Sequence, residues 1–239
     1  MLITGAGGQL GTDLQAAFAA PGHHDVLAAD RAALDVAARD HVLGAITTAR
    51  PELIVHAGAW TAVDACEADP DRAWRVNALG ARHVAEGARR VGAHLVYVST
   101  DYVFDGTSPR PYVEWDRTNP ASVYGKSKLA GEAETLGAVP GATVVRTSWV
   151  CGVHGSNMVK TILRLAGGEG RLRFVDDQHG CPTFTADLAA MLYRLGVDRR
   201  PGVFHVTNQR ATTWYHFARD VVAAAGGDPG RVDPIASAD

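Results

Sequence analysis

A tyrosine and a lysine four positions apart, in Tyr124-Gly-Lys-Ser-Lys128, carry the sharpest chemical signal in this sequence. On a helix the two side chains share one face. An ammonium placed there favours the phenolate and lowers the tyrosine pKa, giving a usable acid or base near neutrality. The spacing alone also fits an ordinary surface pair. It gains meaning from Ser99-Thr100-Asp101, which closes an apolar run and sets a hydroxyl at a strand end upstream of the tyrosine.

A second constellation opens the chain. Gly5, Gly8 and Gly11 follow Leu2-Ile3 directly and give a GxxGxxG spacing. Such a turn needs a residue tolerant of unusual φ and a backbone that a pyrophosphate can approach. The helix it opens offers free N–H groups to phosphate. Asp30, at the end of the second apolar run, suits an adenosine ribose hydroxyl, whereas Arg31 suits a 2′-phosphate, so NAD and NADP both stay open. Asp30 also reads as a plain surface cap. Asp35 and Val36 either flank the adenine or, for Asp35, cap the next helix. Ala57, Gly58 and Ala59 are small enough to let a cofactor lie across the strand ends. Asn77 sits within a helical stretch, where asparagine is a mediocre helix former; it is either an exposed polar residue or a brace for the site.

The elements that must position these residues alternate in type. Strand signals lie at Leu2-Ile3, 25–30, 53–57, 95–99 and 143–147, with helical stretches at 10–18, 69–91 and 122–136. That order implies an α/β fold, a doubly wound parallel sheet of the Rossmann kind with right-handed crossovers. After Trp149 the pattern loosens into glycines, then a short strand at 202–206 and a helix from about 213 to 225, capped by Thr212 or Thr213. The expected division is therefore a dinucleotide-binding domain over 1–150 and a smaller substrate-binding lobe over 151–239, with a soft, interleaved boundary.

Composition excludes several classes. With 46% hydrophobic and 21% charged residues over 239 positions, the chain can bury a core without disulfides or metals. A net charge of −3 provides no basic surplus for nucleic acid. Cys66, Cys151 and Cys181 show neither zinc spacing nor pairing, so they read as reduced. No apolar run reaches membrane-spanning length and no charged leader precedes a hydrophobic stretch, which makes the cytoplasm the expected compartment.

Together these segments resemble the extended short-chain dehydrogenases and, within them, the dTDP-4-dehydrorhamnose reductase family. The resemblance rests on ThrGlyAlaGlyGlyGlnLeuGly at 4–11, AspArgAlaAlaLeuAsp at 30–35, HisAlaGlyAlaTrpThrAlaValAsp at 56–64, SerThrAspTyrValPheAspGly at 99–106, TyrGlyLysSerLysLeuAlaGlyGlu at 124–132, ArgThrSerTrpVal at 146–150 and AspAspGlnHisGlyCysProThr at 176–183. It implies hydride transfer from NADPH or NADH to the C4 ketone of a dTDP-linked 6-deoxyhexose, as in dTDP-rhamnose synthesis. In that picture Tyr124 donates the proton, Lys128 tunes Tyr124 and holds the nicotinamide ribose, and Thr100 bonds the carbonyl. Asp101, Tyr102 and Trp149 contact the sugar nucleotide, with Asn157, Gln178 and Thr183 as weaker candidates; Trp149 also fits as a core aromatic. Gln9, Leu10, Gly11, Asp30, Asp35, Val36, Ala57, Gly58 and Ala59 border the cofactor. Trp60 and Gly58 replace the family's usual tyrosine and alanine. Family members also run on past Ala238-Asp239 with a Pro/Arg-containing segment that completes the sugar site. Some use Mg²⁺, for which this sequence locates no site. A monomer or homodimer acting on a dTDP-sugar is expected. The rival readings are an epimerase or another deoxysugar ketoreductase on the same scaffold, and a non-catalytic dinucleotide-binding regulatory subunit.

Overall fold

The protein is described by a computed structural model covering residues 1–19, 22 and 24–238. The first half follows the expected alternation. In chain order come β1 (Leu2–Thr4), α1 (Gln9–Ala19), β2 (Leu27–Ala29), α2 (Arg39–Ala49) and β3 (Leu53–His56). Then follow α3 (Val63–Ala68), α4 (Pro70–Ala73), a π-helical turn (Trp74–Leu79), α5 (Gly80–Val91), β4 (His94–Thr100), α6 (Val123–Ala138) and β5 (Thr143–Thr147). The helix expected over 69–91 starts where the sequence places it, with the Asp69 carboxylate accepting from Arg72 N at 3.0 Å, but it widens into the π-turn around Asn77. Helix α2 gives a weaker signal, having glycine and two threonines and no side-chain cap at Ala38. Asp35 does not cap it; its Oδ1 accepts from Ala37 N instead.

The later elements are β6 (Val150–Cys151), α7 (Met158–Ala166), β7 (Leu172–Val175), β8 (His179–Gly180), β9 (Thr183–Phe184), α8 (Thr185–Val197), β10 (Gly202–His205), β11 (Thr212–Thr213), α9 (Trp214–Ala224) and β12 (Val232–Ile235). Thr213, not Thr212, caps α9, its Oγ1 accepting from His216 N.

Six strands form one parallel sheet in the order β10-β5-β4-β3-β1-β2. Its interior strands bury both faces, because alternate residues point to opposite layers. Leu2, Ile54 and Leu95 pack toward α2 and α5, while Ile3, Val55, Val96 and Val145 pack toward α1 and α8. The second half of the sequence divides: α8 and β10 return to this sheet, and the stretches around them build a smaller lobe. That lobe has its own core of Ile162, Leu172, Ala218, Val222 and Val232, with β7 beside β12 and β8 beside β11. Among the described residues no helix is long and apolar enough to cross a membrane.

Candidate active site

A groove of about 410 Å³ runs along the carboxyl ends of β1, β2 and β3, where open α/β sheets bind ligands. Gly5, Gly7 and Gly8 form its floor, Asp30, Arg31, Asp35 and Val36 one wall, and Ala57, Gly58, Ala59 and Trp60 the other. Gly5 sits at φ +71, and a Cβ there would lie 2.7 Å from Gly58 Cα. Only glycine satisfies both the left-handed backbone and the close approach. An alanine at position 58 would fit, since an added Cβ meets nothing closer than 3.5 Å. Ala32, Leu34, Arg72 and Val76 also line the groove without a sequence signal to mark them. Arg72 stacks its guanidinium 4.2 Å from the Trp60 ring centroid.

Three residues expected at the cofactor stand behind the groove. Leu10 is buried in the core, and Gly11 packs beneath the Gly5 carbonyl. Gln9 reaches across to the Val150 carbonyl at 3.2 Å and to Asn157.

Beside the groove, β4 and α6 bring Thr100 to the Tyr124 phenol, with Lys128 one helical turn further on. Ser122 caps α6 through Gly125 N, starting the helix so that Tyr124 and Lys128 lie one turn apart on its buried face. Burial pushes the Tyr124 phenol well above its ordinary value, the Thr100 hydroxyl opposes that rise through a hydrogen bond, and Asp101 adds to it. The sequence expectation that Lys128 lowers the phenol is therefore not met in the protein alone. The Lys128 ammonium donates to the Val98 carbonyl at 2.7 Å and lies 4.1 Å from the Tyr97 ring centroid. Burial pulls it down to about 7, with Glu132 acting in the opposite direction. Asp101 accepts from Thr100 Oγ1 at 3.1 Å, and burial lifts its carboxyl to about 6. Tyr102 sets its ring edge-on to Tyr124 at 5.6 Å.

Asn77 joins groove and site. Its side chain accepts from Trp60 N at 2.8 Å and donates to the Trp60 carbonyl and to Ser127 Oγ, both at 3.0 Å. The π-turn around it projects that amide inward, an irregularity of the kind that marks functional helices. Glu132, a further turn along α6, is buried against Arg146 and Ser99. Both Glu132 and Arg146 fall in segments that carry the resemblance, yet spacing alone assigns them no role.

The remaining candidates are held elsewhere. Trp149, with φ +45, stacks on Trp214 at 3.6 Å in the smaller lobe. Asn157 caps α7, Gln178 bonds Ser237, and Thr183 is buried against the Cys181 carbonyl. Among the described residues no cluster of three or more histidine, cysteine or acidic side chains is placed to hold a metal.

The family model described as RmlD substrate binding domain matches residues 1–239. The chain belongs to that family. The dTDP-4-dehydrorhamnose reductase of Streptomyces griseus is 43% identical over 242 residues, covering 99% of this chain and 79% of the relative. The dTDP-4-keto-6-deoxy-D-glucose reductase of Streptomyces niveus is 43% identical, covering 99% and 82%. The crystal structure of dTDP-4-dehydrorhamnose reductase from Bacillus anthracis in complex with NADP superimposes with a TM-score of 0.96 at 39% identity, covering 99% of this chain and 84% of that one. In this RmlD-family chain the glycine turn and the segments at 30–36 and 57–60 line one groove.

Proposed function

We propose that this chain is an NAD(P)H-dependent reductase of the C4 ketone of a dTDP-linked 6-deoxyhexose, converting dTDP-4-dehydro-L-rhamnose to dTDP-L-rhamnose. What supports the reading is the Thr100 hydroxyl at the Tyr124 phenol, with Lys128 one turn along α6, beside a glycine-floored groove that Asn77 ties to that helix. The groove suits a dinucleotide: its floor lacks Cβ atoms, the N-terminus of α1 opens behind it, and Asp30 and Arg31 stand where an adenosine ribose or its phosphate would lie. Arg31 and Arg72 have no carboxylate partner among the described residues, which favours the 2′-phosphorylated cofactor.

A bound nicotinamide supplies the hydride. The protein's part is to orient and protonate. Tyr124, kept in its acid form by burial, donates its proton to the carbonyl oxygen as that oxygen gains charge. Thr100 has one hydroxyl hydrogen, given to the Asp101 carboxylate in this structure, and turns it to the same oxygen when substrate is bound. The positive charge of Lys128, one turn along α6, stabilises that phenolate and holds the nicotinamide ribose. Asp101, Tyr102 and Trp149 bound the sugar nucleotide, and the lobe built from 151–184 and 206–238 covers it. Water is excluded by the same burial that raises the phenol.

The test is incubation with NADPH, then NADH, and a dTDP-4-keto-6-deoxyhexose, followed by identification of the product sugar. Stoichiometric oxidation of the cofactor is expected; turnover without consumption would sink the reading in favour of an epimerase. Product stereochemistry separates the activities named in the two Streptomyces relatives. Tyr124→Phe is expected to abolish turnover by a factor of about 10²–10⁴ while cofactor binding stays intact.

A further inference from the structure

We propose that Glu132 is a positioning residue for this reaction: locked by Ser99 and Arg146 one turn beyond Lys128, its carboxylate keeps Lys128 charged and fixed beside Tyr124. The inference rests on the reductase reading above. Helix α6 presents Tyr124, Lys128 and Glu132 at successive turns of one face, and all three are buried. A carboxylate only 3% exposed must be fully partnered. Glu132 receives Arg146 Nε at 2.9 Å, an Arg146 terminal nitrogen at 2.7 Å and Ser99 Oγ at 2.5 Å. Consecutive residues of β4 therefore grip consecutive turns of α6: the Val98 carbonyl holds the ammonium and the Ser99 hydroxyl holds the carboxylate.

Lys128 has no carboxylate within ion-pair distance among the described residues. The groups that act on it are His56 from β3, Tyr97 from β4 and Glu132 from its own helix, with Tyr124 one turn before it and Arg146 of β5 bonded to Glu132. His56 is neutral, since burial and Lys128 hold it down to about 3. Burial keeps Tyr97 and Tyr124 neutral phenols. Glu132 is thus the negative charge that acts on the ammonium. A bidentate pair in a dry site fixes both position and charge, which a hydrogen-bonding amide in the same place does not.

The experiment follows the ε-carbon resonance of Lys128 by NMR in isotope-labelled protein without cofactor, assigned by its loss in Lys128→Met. The titration midpoint is expected to fall by about one pH unit or more in Glu132→Gln, and by a smaller, still resolvable amount in the Glu132→Gln/Arg146→Met pair, where a positive charge is lost as well; the pair covers the case in which the single variant does not fold. The alkaline limb of the kcat profile should move with it, and Glu132→Asp should restore both. Folded variants whose Lys128 midpoint and alkaline limb match the parent protein would overturn the proposal and leave Glu132 a purely structural ion pair. A parent protein that never oxidises NADPH would instead overturn the reductase reading, a result the NMR titration cannot mimic.

Discussion

Replacing Lys128 with methionine should stabilise the fold while destroying the reaction. The side chain is 1% exposed, and burial drags its pKa from 10.5 to about 7. The unfolded chain therefore binds the proton more tightly than the folded one. A group lowered on folding adds most stability above its unfolded pKa and loses it as pH falls through its folded pKa. At pH 7, where the folded group is half deprotonated, the fall from 10.5 to about 7 costs on the order of 4 kcal/mol. Methionine gives back about 1.5–3 kcal/mol, because the charged hydrogen bond to Val98 is lost. A net gain of about 1–3 kcal/mol at neutral pH remains. Urea unfolding of both proteins between about pH 6 and pH 10, followed by tryptophan fluorescence, measures it. The parent protein should gain up to about 1.4 kcal/mol per pH unit relative to the variant over that range. Parallel stability curves would refute the reasoning, since they would mean that Lys128 is not desolvated.

Gly5→Ala should destabilise the protein by about 2–4 kcal/mol, combining a left-handed backbone with a Cβ driven into Gly58, and should weaken NADPH binding; an unshifted Tm would contradict the groove geometry. Asn77→Ala removes two hydrogen bonds to Trp60 on the groove wall and one to Ser127 on α6, at about 2–4 kcal/mol, and should raise the KM for cofactor more than it lowers kcat. Asp101, lifted to about 6 by burial, contributes stability that is complete below pH 3.8 and lost as pH rises through 6. Asp101→Asn should therefore be the more stable protein at pH 7, by up to about 3 kcal/mol, with the difference vanishing in acid unfolding titrations.

Much of the sheet was legible because its strands are short apolar runs cut off by glycine or polar residues, as in Leu2–Thr4 and Thr143–Thr147. The groove was legible for a related reason: backbone approach demands glycine, and glycine is visible in a sequence. Helix α2 was harder, since its stability comes from Val42 and Ile46 packing on α5 and not from caps or propensity. The charge states of the site were not legible at all. Spacing places Lys128 next to Tyr124 but says nothing of desolvation, which dominates both groups. Glu132 and Arg146 lie fourteen residues apart, and only the packing of α6 on β4 and β5 makes them a pair. Trp149 was legible as an aromatic in a family motif, but its stacking on Trp214, sixty-five residues further on, comes only from the packing of the chain.

The return of Thr185–His205 to the large sheet constrains how this molecule can be taken apart. Severing the polypeptide after Val150 would strip β10 from β5 and α8 from α1, leaving a raw strand edge and an uncovered apolar layer that invite aggregation. The second half of the chain is consequently no detachable cassette. Exchanging the smaller lobe would mean transplanting two separate insertions, 151–184 and 206–238, and leaving the stitch between them in place.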